Sequence, residues 1–507
     1  MPPQQLSRRN LLRATAAGGF VTAVATPQRL TRVPSAVREL EEKIQTGMEK
    51  YGVAGVGLGL WYRGKEYVRG FGVTRTDAPE DVDGDTVFRV GSTTKTFTGA
   101  AIMRLVEQGS IDLDRTVRSY LPGFRTTDAA ASSRVTVRQT LNHTAGWLGD
   151  FFLDTGDDAG ALARYVAAMD RLPQLNPPGR VFAYNNAALS LAGRLIEVVT
   201  RRSYEEEVRR GLLDPLRLTR SGFFLDEIPG ARVAQPHVYD PATGGIVVSP
   251  DSWWIPRSLH PAGALISSAR DQIRWARFHL GDGGRVLSGR SIRAMRSRPG
   301  PGGTLFVELD GVGVTWMLRP TAEGPTVVQH GGDWAGQHSG FLMVPARDFA
   351  ITVLTNSDAG TALLDDLFVD DWTLRRFAGV SNIPAPPLKL TDAELAPYLG
   401  RYSGQQIDID GTIYTREFEF VADNGRLVLM FGGQAVDGFA FYRKDYVVDL
   451  PLNGGTEEGI RANFVRGPDG TVQWFRFGGR LLHRGAPSAA ARGGRRATTF
   501  NPRSLLS

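Results

Sequence analysis

Gly91-Ser92-Thr93-Thr94-Lys95 sets a hydroxyl and an amine three residues apart, the spacing at which two side chains share one face of a helix. A serine hydroxyl becomes a useful nucleophile only when a neighbour takes its proton, and a lysine can do so only as the free amine. Keeping that amine uncharged near pH 7 means disfavouring its cation by roughly 4 to 5 kcal/mol relative to water, a bias that partial burial and the positive end of a helix both supply. Taken alone, the same four residues also describe a serine helix cap beside a surface lysine. The rest of the chain has to decide.

A second cluster is Pro177-Pro178-Gly179-Arg180-Val181-Phe182-Ala183-Tyr184-Asn185-Asn186, which reads as a tight turn, a short extended piece and a helix beginning near Asn186. Tyr184 could share proton transfer with Lys95, and Asn186 could orient a substrate amide. A buried tyrosine capped by a turn asparagine fits the same residues. The third cluster is His330-Gly331-Gly332-Asp333-Trp334, ahead of a strand at Phe341 to Val344. Paired glycines let a substrate backbone approach a strand edge, and the backbone N–H of Asp333 would complement that of Ser92 as an oxyanion hole. A glycine-rich hairpin carrying an ordinary polar histidine is the plain alternative.

The elements that must hold these residues follow from periodicity. Val37 to Tyr51 has helical spacing, and Val53 to Tyr62 with Glu66 to Val73 reads as a hairpin around Arg63-Gly64-Lys65. Phe97, Ala101 and Leu105 recur four apart and Gly109 supplies a stop, so Ser92 belongs at a helix start. Residues 110 to about 300 are mostly helical and loop-like, with helices at Asn186 to Arg201, after Ser203, and at Ser268 to Leu280. Strands are expected at Gly313 to Leu318, Gly340 to Val344 and Phe349 to Asn356. Strands at both ends of a helical middle predict one α/β (α+β) unit with an inserted helical region. Pro384, Pro386 and Pro387 mark an extended linker. Beyond it, period-2 stretches joined by Asn424-Gly425 and Pro468-Asp469-Gly470 predict a small antiparallel β-barrel.

Composition closes off other classes. The 507 residues include no cysteine, which removes disulfides, thiolate chemistry and thiolate metal sites. A net charge of +6 without a concentrated basic face or an aromatic RNA motif argues against nucleic acid as a partner. No GxSxG elbow, HExxH zinc helix or phosphate-binding glycine loop is present. His330, Asp333 and His338 are metal-type side chains, but the serine chemistry accounts for the same segment, and neither a metal nor a cofactor is expected. Ser7-Arg8-Arg9-Asn10-Leu11-Leu12 and the apolar stretch ending in Ala23-Val24-Ala25 resemble a twin-arginine export signal, which predicts a periplasmic or extracellular protein. The stretch is too short to span a bilayer and no later one approaches about 20 apolar residues, so the mature form should have no stable membrane span.

Ser92-Thr93-Thr94-Lys95, Tyr184-Asn185-Asn186 and His330-Gly331-Gly332, in that order, resemble the class C β-lactamase and serine DD-peptidase family. Phe88-Arg89-Val90-Gly91, Leu141-Asn142-His143-Thr144-Ala145-Gly146, Asp214-Pro215-Leu216, Pro261-Ala262-Gly263-Ala264-Leu265 and Val353-Leu354-Thr355-Asn356 extend the resemblance over roughly residues 37 to 378. It implies that Ser92 is acylated, that Lys95 and Tyr184 exchange protons with it, that Asn186 contacts substrate and that His330, Gly331 and Gly332 line the opposite strand edge. It also implies an antiparallel sheet with flanking helices and a helical subdomain, and a C-terminal barrel of lipocalin-like type. His143 is read as bracing its loop.

Many relatives that bind a substrate carboxylate carry a lysine in the third cluster. None can serve here, because the six lysines are Lys43, Lys50, Lys65, Lys95, Lys389 and Lys444. His330 could be neutral near pH 7, which makes it a weaker and pH-dependent anchor for an acid. That shifts the expected activity from β-lactam hydrolysis toward an esterase, amidase or D-aminopeptidase on a small-molecule or peptide substrate. The same acyl-enzyme could instead pass its acyl group to an amine, as a peptide cyclase or transacylase, or the fold could serve a non-catalytic binding or sensor protein. Trp147, Asp150, Phe151 and Trp334 are candidate pocket walls. The expected layout is a signal at 1–30, a hydrolase domain at 31–380, a linker at 381–390, a barrel at 391–486 and a basic tail at 487–507. Oligomeric state is not legible.

Overall fold

Gly55-Val56-Gly57-Leu58-Gly59-Leu60 is apolar without alternation, the pattern of a strand covered on both faces. The computed structural model describes residues 33–297, 300–431, 433–450, 452 and 459–485; the expected export signal and basic tail lie outside the described residues. Helix α1 (Ser35–Tyr51) buries Val37, Leu40, Ile44 and Gly47 along one stripe and ends where Gly52 turns left-handed at φ 74°. Strands β1 (Gly55–Tyr62) and β2 (Lys65–Gly72) form a hairpin closed by the Tyr62 and Lys65 pair. Helix α2 (Thr94–Glu107) is buried continuously from Thr94 to Met103, and helices α3 (Asn186–Thr200) and α4 (Ala269–Leu280) follow.

The chain then returns through β3 (Gly311–Val312), β4 (Met317–Arg319), β5 (Val327–Gln329), β6 (Gly332–Trp334), β7 (Gln337–Val344) and β8 (Phe349–Thr355). These complete an eight-stranded antiparallel sheet in the order β2-β1-β8-β7-β5-β4-β3, with β6 paired to β7. One face packs on α1 and the other on α4, so the sheet lies between two cores.

The strand expected over Gly313 to Leu318 is a correction. Gly313 N–H bonds to Trp316 O and Thr315 sits at φ 63°, so Gly313 to Trp316 is a tight turn between β3 and β4, and only Met317 and Leu318 of the expected run lie in a strand. The turn delivers Trp316, fully buried, against His279 of α4 and Phe341 of β7. A continuing strand would alternate its side chains and could not.

The C-terminal strands β9 (Gly400–Ile407), β10 (Ile413–Asp423), β11 (Arg426–Phe431), β12 (Gln434–Arg443), β13 (Tyr446–Leu450), β14 (Arg461–Arg466), β15 (Val472–Phe477) and β16 (Arg480–Arg484) close into a barrel. Asn424 and Gly425, both at positive φ, make the β10–β11 hairpin turn. The interior is filled by rings, with Phe420 and Phe464 each 4.9 Å from Phe475, so it is a packed core rather than a ligand cavity.

The proline-rich connection is extended but not loose. Asn382 accepts from Arg319 Nε at 2.8 Å, Ala385 is fully buried, and Leu388 N–H bonds to Phe441 O at 2.6 Å. Glu308 adds a bridge from the body of the protein to Arg461, at 3.2 Å, and to Arg443 of the barrel.

Candidate active site

Ser92 lies in a short 3-10 turn, Gly91–Thr93, and Lys95 in the first turn of α2, so the three-residue spacing stacks their side chains. Lys95 Nζ is 2.8 Å from Ser92 Oγ and 2.6 Å from Ala262 O. Burial pushes the amine well below its ordinary value, and the charge of Arg480 pushes the same way against weaker opposition from Asp150 and Asp333. As a free amine, Nζ donates to Ala262 O and turns its lone pair to the Ser92 hydroxyl. The Ala262 segment is itself held by the buried Arg89, whose guanidinium donates to Ala264 O and to Trp253 O.

Tyr184 precedes α3 by one residue. Asn185 caps the helix by accepting from Ala188 N–H at 2.8 Å and donates to Trp147 O at 2.9 Å, which fixes the direction in which Tyr184 enters the site. The phenol ring stacks on His143 at 4.6 Å, and Lys95 Nζ lies 5.0 Å from its centroid. His143 Nδ1 accepts from Asn185 N–H at 3.1 Å, so this histidine braces the tyrosine from behind. Burial pushes the Tyr184 phenol well up, outweighing the opposing hydrogen bond to Ser92, and the group is protonated at neutral pH. Asn186 Nδ2 donates to Asp150 Oδ1 at 2.9 Å, and the other Asp150 oxygen takes Arg480 Nε at 3.1 Å.

His330 N–H bonds to Phe341 O, so the residues of this edge that hydrogen-bond to β7 are His330, Gly332 and Trp334. Asp333, opposite His338, is therefore a non-hydrogen-bonded position whose N–H turns away from β7. A Cβ on Gly332 would stand 2.4 Å from Ser92 N, and one on Gly91 2.5 Å from Asp333 N. Only glycine permits this approach of the two backbones. Gly91 also needs its positive φ of 49° to turn into the helix. Gly331 lines the same cleft.

His330 Nδ1 lies 2.6 Å from Gly331 O and must donate to it, which leaves Nε2 as a buried acceptor without a partner. Burial, with help from Lys95, lowers its pKa to about 3. His330 is therefore uncharged throughout the physiological range, as expected of a neutral histidine here, because its proton would have to be held in a buried site next to an amine; it offers no pH-dependent cationic anchor there.

Ser92, Tyr184, Asn186 and the edge from His330 to Asp333 line one cleft of about 550 Å³ with Phe152, Ile255, Trp334, Leu305, Met317 and Phe368. Of the expected walls, Trp334 is one. Asp150 stands behind the cleft in its pair with Arg480, and Trp147 and Phe151 point into the core, the latter against Tyr165. The barrel supplies the remaining wall through Gln406, Asp408, Ile409 and Arg480. It is bonded directly to the site: Gly479 O accepts from Tyr184 N–H at 2.8 Å, Ile407 N–H donates to Asp150 O at 2.9 Å, and Ile407 O accepts from Phe152 N–H at 2.8 Å. The Arg480 guanidinium lies 4.8 Å from the Tyr184 ring centroid. Sequence reasoning missed Arg480 and Ala262, since neither has a spacing that ties it to Ser92. Among the described residues no cluster of three or more His, Asp or Glu side chains is arranged to hold a metal ion, and no helix is long and apolar enough to cross a membrane.

Residues 40–371 match the Beta-lactamase family. The chain is 33% identical over 372 residues to penicillin-binding protein 4 of Amycolatopsis lactamdurans, covering 71% of this chain and 96% of that protein. It is 24% identical over 357 residues to protein flp of Staphylococcus aureus, covering 68% of each. Among solved structures it resembles SurE with D-Leu, at a TM-score of 0.68 and 27% identity over 89% of this chain and 99% of that one. The octameric penicillin-binding protein homologue from Pyrococcus abyssi, at a TM-score of 0.58 and 24% identity, shares the fold.

Proposed function

Because the chain belongs to the beta-lactamase family, we propose that it is a serine acyl hydrolase that forms an acyl-enzyme on Ser92 with an ester, amide or peptide substrate. The observation that carries this reading is the 2.8 Å contact between Ser92 Oγ and a buried Lys95 amine whose charged form is disfavoured. In the proposed reaction Ser92 Oγ bonds to the substrate carbonyl carbon as its proton passes to Lys95 Nζ. The carbonyl oxygen, now an anion, accepts from the N–H groups of Ser92 and Asp333. The bond to the leaving group then breaks, with the proton returned to the leaving oxygen or nitrogen through Tyr184, whose phenol keeps its proton at neutral pH and so acts as a donor. Water attacks the acyl-enzyme in the reverse sequence and frees Ser92.

Asn186, with its amide nitrogen engaged by Asp150, offers its carbonyl oxygen to a substrate N–H, and His330 Nε2 offers a second acceptor. Arg480, rather than His330, brings a cationic charge to this cleft. That favours an esterase, amidase or peptidase over an enzyme that grips a β-lactam carboxylate through the His330 strand. SurE, similar along nearly its whole length, was solved with D-Leu, which supports substrates carrying a D-amino acid and keeps transfer of the acyl group to an amine as a second outcome. Export remains part of the proposal, supported by Arg8-Arg9 and the small-residue end of the apolar stretch.

Treatment with a fluorophosphonate and, separately, with a penicillin, followed by intact mass and peptide mapping, tests the reading. An adduct on Ser92 from the first reagent only is the expected result. Folded protein that neither reagent labels refutes it in favour of a binding protein.

A further inference from the structure

The proposed chemistry leaves one buried charged group next to the oxyanion hole without a part. His338 stands on β7 directly across from Asp333, with 4% of its side chain exposed. Its Nδ1 lies 2.8 Å from Asp333 Oδ1, and its Nε2 faces Asp358 Oδ1 at 3.8 Å. Asp358 is fixed in turn by the N–H groups of Gly336 and Tyr239, at 2.7 and 2.8 Å. The neighbours of His338 along β7, Gln337 and Ser339, and Thr355 across it on β8 are uncharged, so the two carboxylates are the charges that face it. Lys95 and Arg480 act on Asp333 rather than on the ring. Burial opposes the imidazolium, but the two carboxylates outweigh it and raise the pKa to about 9.

Strand β6 is three residues long and hydrogen-bonds to β7 only at its ends, through Gly332 and Trp334. The peptide between them, whose nitrogen lies beside Gly91, has no ladder bond to hold it. We infer that His338 is a positioning residue of the oxyanion hole: with the Asp358 carboxylate 3.8 Å from its Nε2, it holds the Asp333 side chain through Nδ1 and so fixes the Asp333 N–H against Ser92. This rests on the acyl-enzyme reading above.

Hydrolysis of p-nitrophenyl butyrate tests it. His338→Ala should lower kcat about tenfold at pH 7.5 with KM within about twofold, the signature of a misplaced donor rather than lost binding. His338→Gln, which can still donate to Asp333 but cannot titrate, should recover kcat to within about threefold of wild type and lack the fall in rate expected of the wild type near pH 9, where the neutral imidazole has one N–H to divide between two carboxylates. Histidine-selective 15N NMR should give one resonance with a midpoint near pH 9, absent from both variants. A His338→Ala enzyme with unchanged kcat overturns the inference, as does a resonance at that position titrating near 6.5. Should His338→Ala not fold, the alkaline limb of His338→Gln decides. A wild type with neither turnover nor a Ser92 adduct sinks the acyl-enzyme reading and this inference together, whereas an active wild type indifferent to His338→Ala sinks this one alone.

Discussion

Gly332→Ala isolates the meeting of the two backbones. The added methyl would stand 2.1 Å from Val90 O and 2.4 Å from Ser92 N, where ordinary contact begins at 3.4 Å. Neither neighbour is a flexible side chain, so relief requires β6 and the Ser92 turn to part by about 1 Å, a displacement that typically costs about 100-fold in rate. Losing one oxyanion donor outright costs about 100- to 1,000-fold, or roughly 3 to 4 kcal/mol, so a kcat loss of about 100-fold is the expected result. The backbone at Gly332 is not in the left-handed region, which leaves overpacking, at about 1 to 3 kcal/mol, as the stability cost. The assay is p-nitrophenyl ester turnover alongside the rate of fluorophosphonate labelling. Gly47→Ala serves as the control, because its methyl, on α1, meets only the movable end of Leu363 and α1 does not line the cleft. A folded Gly332→Ala protein that keeps more than about a third of wild-type kcat refutes the placement of Asp333 N–H in the oxyanion hole.

Lys95→Met should abolish acylation and yet raise Tm. The folded state disfavours the lysine charge that the unfolded chain carries below about pH 10.4, so the penalty it removes grows as pH falls, and the gain in Tm should be larger at pH 6 than at pH 10. An equal gain in Tm at both pH values would mean that Lys95 is charged in the fold. Arg480→Met takes away a charge that favours the neutral amine, and the acid limb of the kcat–pH curve should move to higher pH; an unmoved limb excludes electrostatic contact between barrel and nucleophile. Glu308→Gln weakens the bridge to Arg461 and Arg443 and should cost about 2 kcal/mol in thermal or urea unfolding, less than a fully buried pair because Arg443 is half exposed. No change in midpoint would show that the linker and backbone contacts alone hold the barrel.

Much of this architecture is legible because its signals are local. Phe97, Ala101 and Leu105 declare a helix, and that helix carries Ser92 and Lys95 on one face whatever else the chain does. Tyr184 and His330 are conspicuous only by their order along the chain, and the fold brings both to the same cleft. Gly313 to Leu318 misleads because an apolar run is equally compatible with a strand and with a turn that aims one tryptophan into a core. Arg480 is illegible for another reason. It is one of many arginines, at a barrel hairpin nearly three hundred residues from Tyr184, and only the packing of the barrel against the site makes it part of it.

The bond from Tyr184 N–H to Gly479 O has a consequence in time. At about 5 to 20 residues per second, the ribosome delivers Gly479 roughly 15 to 60 seconds after Tyr184. Through that interval the nascent protein holds its nucleophile and amine but not the wall that aligns the tyrosine, so it should stay chemically quiet until the last strands arrive. A stalled ribosome complex ending before Gly400 that reacts with a fluorophosphonate as fast as finished enzyme would show that no such delay exists.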